Sequence, residues 1–193
     1  MRRLLGRPFD YRRIARKRWY IPTLLLVPLV TVLSCAWMRL AGVVGPELYA
    51  PVLLLPAYFL VFFVLAIGEE AGWSGYALDP LQDRLGALPA GIVLGTAWAL
   101  WHLVPYALAN PPLWVAGQCA TTVVLRVLMV WIYNNTGRSV FGMVVFHAMT
   151  NMGSVPDYGF PYDPVRASVI LAAVAAVVVL LWGPRTLARF RYA

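Results

Sequence analysis

The sequence predicts an all-α, polytopic transmembrane helical bundle of about six spans with both termini cytoplasmic, and three observations carry that prediction. Of 193 residues 61% are hydrophobic and only 12% are charged, about half the charged share of a water-soluble domain. The apolar stretches are long enough to cross a hydrocarbon core of about 30 Å. The basic residues are also distributed asymmetrically about those stretches. With 8 acids and 16 bases the chain cannot clothe a water-facing surface of its size, which excludes a soluble enzyme, a disordered tail and a secreted disulfide scaffold. Cys35 and Cys119 lie inside apolar runs without metal-ligand spacing and read as small core residues.

Residues 1–18 form a basic cytoplasmic arm holding eight of the sixteen bases: Arg2, Arg3, Arg7, Arg12, Arg13, Arg16, Lys17 and Arg18. Placed directly before an apolar span, the arm reads as a topology determinant that touches anionic lipid headgroups. No aromatic-basic interleaving accompanies it, so nucleic acid is not an expected partner. The segment after the arm is too long for a cleaved signal and is read as the first span.

A single transmembrane domain covers residues 19–183, with spans expected near Tyr20–Met38, Leu48–Tyr76, Leu88–Leu108, Leu113–Tyr133, Val140–Met152 and Arg166–Trp182. Turn-rich stretches at Asn110-Pro111-Pro112, Asn134-Asn135-Thr136-Gly137 and Pro156-Asp157-Tyr158-Gly159 mark reversals between antiparallel neighbours. Residues 184–193 complete the chain as a basic cytoplasmic tail. In this arrangement the arm, Arg84, Arg138, Arg185, Arg189 and Arg191 lie inside, Arg39 and Arg166 lie outside, and Arg126 remains within a span. The expected location is therefore a multi-pass position in a bacterial plasma membrane.

Charge at bilayer depth is costly, so the few embedded ionisable groups are functional candidates. Asp10 belongs to the arm, Glu47, Asp157 and Asp163 to outer loops, and Asp79 and Asp83 to an inner loop. Glu69 and Glu70 are left as the embedded carboxylates, and both histidines of the chain, His102 and His147, are embedded as well. Two carboxylates and two imidazoles can take a proton from water, hold it and return it to a leaving group. Trp98 and His102 are four residues apart, as are His147 and Asn151, so each pair shares a helix face. Glu69 and Glu70 diverge by about 100° around a helix; one is the reactive group, and the other braces it or a neighbouring helix. Gly68, Gly72 and Gly75 are expected to allow close backbone approach there. Arg126 either satisfies neighbouring helices or faces the same chamber.

These residues resemble the CPBP intramembrane proteases, which include type II CAAX prenyl endopeptidases and bacterial immunity-associated homologues. That family carries Glu-Glu-x-x-x-Arg, Phe-x-x-x-His and His-x-x-x-Asn motifs on three helices. They stand here as Glu69-Glu70-Ala71-Gly72-Trp73-Ser74, Trp98-Ala99-Leu100-Trp101-His102 and His147-Ala148-Met149-Thr150-Asn151, within a core of about residues 60–153. Ser74 occupies the arginine position and removes a charge that could neutralise one glutamate. Left unpaired, Glu70 would prefer its neutral form; an Arg126 that faces the chamber would instead substitute for the missing arginine. Trp98 replaces the phenylalanine, a swap that reads as harmless.

The resemblance implies an intramembrane endopeptidase acting on a membrane peptide or lipidated-protein substrate, which could be prenylated and CAAX-like. It implies catalytic roles for Glu69, Glu70, His102, His147 and Asn151: Glu69 as general base, His102 orienting the water, His147 and Asn151 stabilising the oxyanion. Either no cofactor is needed or a divalent metal such as zinc is held by Glu69, His102 and His147. Two other readings stand beside this one: a non-catalytic membrane binding or immunity protein, and a rhomboid-like serine protease using Ser74 with His147. Counted from the inner helix ends, His102 falls about a turn deeper than Glu69 and His147, so a tilted or broken third span is expected to level them.

Overall fold

The computed structural model describes residues 6–43, 52–154 and 162–188, and among these it contains helices and no strand. The expected positions of Arg2, Arg3, Glu47, the Pro156–Gly159 turn with Asp157, Arg189, Arg191 and the first four residues of the second span lie outside the described residues. The helices are α1 (Tyr20–Leu40), α2 (Leu55–Gly72), α3 (Leu78–Leu85), α4 (Ala87–Ala109), α5 (Pro112–Asn135), α6 (Val140–Ser154) and α7 (Pro164–Trp182). Five helical stretches are long and apolar enough to cross a membrane: α1, α2 with its continuation through α3, α4, α5 and α7. α6 is a shorter apolar helix. The transmembrane bundle expected from composition is therefore the fold of the chain.

The second span departs from expectation at its end. It does not stop at Tyr76; a π-helical turn, Trp73–Ala77, widens the helix directly after the two glutamates and leads into α3. Asp79 and Asp83 are thus helical rather than in a loop. Pro80, which has no N–H to donate, follows directly on the widened turn, where the regular i→i−4 pattern is already interrupted. The reversal falls instead at Gly86, whose φ of +83° is a conformation that suits a residue without Cβ. The first amides of α4 are then satisfied by the chain's other end: Ala87 N donates to Arg185 O and Leu88 N to Pro184 O, both at 2.9 Å.

α5 is the axis of the bundle. Of its apolar window 67% is buried, against 11–39% for the other four long stretches. α4 and α7 pack along it, α2 packs on α6, and α1 covers α6 and α7. Close approach is set by glycines other than those expected. A Cβ on Gly95 of α4 would stand 2.8 Å from Val123 Cα of α5, and one on Gly91 would stand 3.2 Å from Val127 Cα. Gly68 and Gly72 have nothing within 4 Å of an added Cβ, so the expectation of close packing at those two residues fails. In a membrane, where helix association gains little from the hydrophobic effect, such a small-residue stripe is what lets backbones meet.

Part of the arm is docked rather than free. Arg7 donates to Gly75 O at 2.5 Å and to Tyr133 Oη at 2.6 Å, with Asp79 at 3.8 Å. It thereby holds a carbonyl of the π-helical turn. Ile14 is fully buried and faces Gly142 of α6. The tail meets the same end of the bundle, where Asn134 and Asn135 of α5 donate to Thr186 O and Leu187 O at 2.7 Å.

The glycine geometry predicts opposite outcomes for two conservative changes. Gly95→Ala should destabilise the protein by about 1–3 kcal/mol through overpacking of α4 on α5. Gly68→Ala should be neutral or stabilising by up to about 1 kcal/mol. Thermal unfolding in detergent compares them, and equal melting temperatures would remove the packing account.

Candidate active site

Glu69 and Glu70 end α2, and the widened turn after them carries Ser74. Trp98 and His102 come from α4, Arg126 from α5, and His147 and Asn151 from α6. The two glutamates diverge as their spacing requires, and each has a different environment.

Glu70 is fully buried. Arg126, 1% exposed, grips it with both terminal nitrogens: Nη1 to Oε2 and Nη2 to Oε1, each at 2.9 Å. The parallel pair matches the fork geometry of guanidinium and carboxylate. Ser74 Oγ, itself buried, donates to Oε2 at 2.5 Å and receives Arg126 Nη1 at 3.4 Å. His147, 2% exposed, lies with Nδ1 2.9 Å from Oε1. Because an ionised carboxylate only accepts, this Nδ1 carries the proton and Nε2 is the nitrogen left for other work.

This cluster corrects the expectation of an unpaired Glu70. The charge absent at position 74 is supplied by Arg126, from a different helix, and Ser74 donates a hydrogen bond to the same carboxylate. The Ser74 hydroxyl is also directed to Glu70 rather than to His147, so the geometry does not form a Ser-His dyad. Of the two readings of Arg126, it is the one facing the chamber that the structure shows.

Glu69 is half-buried and takes no part in the ion cluster. Its Oε2 accepts the indole N–H of Trp98 at 2.9 Å. A phenylalanine could not make this bond, so the aromatic swap is not a neutral one. Trp98 is 5% exposed and lies at the centre of the site: its ring meets the His147 ring edge-on at 4.8 Å, and the Arg126 guanidinium lies 4.4 Å from its centroid. The latter is a cation–π contact in a desolvated setting.

His102, half-buried, is one turn further along α4, its ring 6.1 Å from that of Trp98 and stacked at 5.5 Å on Tyr106. Its Nδ1 donates to Trp98 O at 3.0 Å, which leaves Nε2 as an acceptor in the neutral ring. Asn151 is half-buried one turn beyond His147. α4 runs unbroken from Ala87 to Ala109, so of the two expected ways of levelling His102, tilt or a break, the break is absent. Trp98, a turn nearer the amino-terminal end of α4, meets Glu69 and His147.

The conditional zinc set does not fit this arrangement. Among the described residues no three His, Cys, Asp or Glu side chains stand close enough together to hold a metal ion. His147 presents Nδ1 to Glu70, and the His102 ring stands a helical turn beyond Trp98, so the three groups do not converge on one point.

The fold and this site are those of an integral membrane protein that gathers a buried, charge-paired cluster beside a half-exposed carboxylate and imidazole inside its helical bundle. Residues 51–153 match the family described as Rce1-like, type II CAAX prenyl endopeptidase Rce1-like, and the chain belongs to that family. It is also 28% identical over 135 residues to CAAX prenyl protease 2 of the archaeon Methanococcus maripaludis, an alignment covering 65% of this chain and 49% of that protein. The chain thus spans about half the length of the curated relative it matches. The family match covers α2 through α6 and excludes α1 and α7.

The sequence offered Arg126 as a substitute for the missing motif arginine only as the second of two readings, and it did not connect Trp98 with Glu69. The signal for the first was a single embedded arginine in a chain with a single embedded carboxylate pair.

The pairing predicts a strong coupling. Arg126→Met leaves Glu70 buried without its counterion and should cost about 3–5 kcal/mol of stability. Glu70→Met combined with Arg126→Met removes both charges and should recover most of that loss, as read by thermal unfolding in detergent. Additive losses in the double variant would mean that the pair is not coupled.

Proposed function

We propose that the protein is an intramembrane endopeptidase that hydrolyses a peptide bond of a membrane-associated substrate using water activated by Glu69. The observation that carries this reading is the division between the two glutamates. Glu70 has both oxygens committed to Arg126, Ser74 and His147 in a dry cluster. Glu69 is half-exposed, with one oxygen fixed by Trp98.

In the proposed reaction a water gives a proton to Glu69 while His102 Nε2 accepts its second hydrogen as a hydrogen bond and orients it. The resulting hydroxide adds to the peptide carbonyl. His147 Nε2 and the Asn151 amide donate to the oxyanion, His147 as the imidazolium for which Glu70 is the counterion. The proton held by Glu69 then passes to the leaving amine as the C–N bond breaks, and the carboxylate is restored. Arg126 and Ser74 act through Glu70; they hold its carboxylate against the His147 ring. No step is routed through a metal.

The relative's name, CAAX prenyl protease 2, supports a prenylated carboxy-terminal peptide as the first substrate to try. Glu69→Gln should lower cleavage of a farnesylated CAAX peptide in liposomes by about 10²–10⁴-fold with the melting temperature unchanged. A folded Glu69→Gln variant that cleaves normally would sink the proposal, and a wild-type protein that binds the peptide without cutting it would favour the non-catalytic binding reading.

The site carries two more expected outcomes. Trp98→Phe should keep the ring contacts, lose the bond to Glu69 and reduce kcat by about tenfold with a smaller change in KM. Prolonged dialysis against a strong chelator should leave turnover unchanged; loss of activity restored by added zinc would reinstate a metal set.

A further inference from the structure

Where α1 begins and α5 and α7 end, the arm, α5 and α7 enclose an open groove of about 610 Å³ lined by Arg16, Arg18, Trp19, Trp131, Asn135 and Trp182 among others. Three indoles make its wall. Trp19 meets Trp131 edge-on at 5.0 Å, and Trp131 meets Trp182 edge-on at 5.2 Å. Ile21, 61% exposed, and Pro22 continue the lining into the apolar part of α1. Tryptophans at the ends of spanning helices mark headgroup depth, so the groove has a polar mouth at the interface and an apolar wall below it.

Two features select what the groove would hold. It presents two permanent cations, and among the described residues no acid lines it. The other arm bases nearest the bundle are already engaged: Arg7 with Gly75 O and Tyr133, Arg13 with Asp10 and Gly137 O.

We propose that the groove binds one anionic phospholipid of the surrounding bilayer, its phosphate between Arg16 and Arg18 and an acyl chain along the indoles and Ile21. This narrows a diffuse attraction of the arm for lipid to a defined site, and it does not depend on the proposed catalytic activity.

Quenching of tryptophan fluorescence in nanodiscs tests it, using phosphatidylglycerol with dibrominated acyl chains against equally brominated phosphatidylcholine. Phosphatidylglycerol should be preferred. Arg16→Gln and Arg18→Gln should each reduce that preference about fivefold, from about 1 kcal/mol per basic side chain at an anionic surface, while Arg12→Gln, outside the groove, should change it little. Trp131→Phe should remove part of the quenched signal, with the melting temperature confirming that each variant is folded. An excess of inorganic phosphate should not displace the lipid. The site is lost if the two lipids quench equally or if Arg12→Gln matches the groove variants; displacement by inorganic phosphate would make it a free-anion site instead.

Discussion

A carboxylate and a guanidinium buried together in a membrane bundle constrain everything around them, because each is tolerable there only while it holds the other. Arg126 is 1% exposed and Glu70 is fully buried, and separating them would leave a naked charge in a medium that cannot hydrate it. The pair joins α2 to α5. Through His147 it reaches α6, and through the cation–π contact with Trp98 it reaches α4. Four helices are thereby tied at one depth, and the half-buried Glu69 sits beside that anchor on a fixed backbone. The close α4–α5 contact at Gly95 serves the same arrangement, since a Cβ there would stand 3.0 Å from Arg126 Cβ.

The helix that carries the glutamates is regular up to Gly72 and widens only afterwards. A π-helical turn shifts the register of the residues beyond it by a fraction of a turn, and such turns occur often at functional sites. Here it comes just after Glu70 and contains Ser74, whose hydroxyl reaches back to Oε2. Its Gly75 carbonyl is taken by Arg7 from the arm. The amino-terminal segment therefore contributes to the geometry of the site without contacting it.

Much of this was legible from scarcity of charge. Long apolar runs located the spans, and sorting twenty-four charged residues by depth isolated Glu69, Glu70 and Arg126, with His102 and His147 beside them. Helical periodicity could then say which residues share a face of one helix. It could not say which helices are neighbours, so the partner of Glu70 stayed open until α5 was seen at the centre of the bundle. The same limit explains the glycines: Gly68 and Gly72 flank the glutamates in sequence, but the residues that meet a facing backbone are Gly91 and Gly95, because only α4 lies against α5 on that side. Trp98 was passed over as one aromatic for another, since a hydrogen bond from an indole depends on what stands opposite it. The continuation of α2 through Ala77 into α3 was missed because Asp79, Pro80 and Asp83 read as loop residues by composition, and the tertiary contacts of Arg7 and Asp79 override that preference.

Within its family the chain carries serine where the glutamate motif has arginine, and the structure replaces the lost cation from across the bundle. The central claim is that Arg126 supplies the charge that position 74 lacks. Moving the cation back tests this most directly: Arg126→Ser alone, and Arg126→Ser combined with Ser74→Arg, compared by thermal unfolding in detergent. Ser74 already faces Glu70 across one turn, so the relocated guanidinium should reach the same carboxylate. The account predicts that the double variant regains most of the stability lost by Arg126→Ser. A double variant no more stable than the single one, or less, would contradict it.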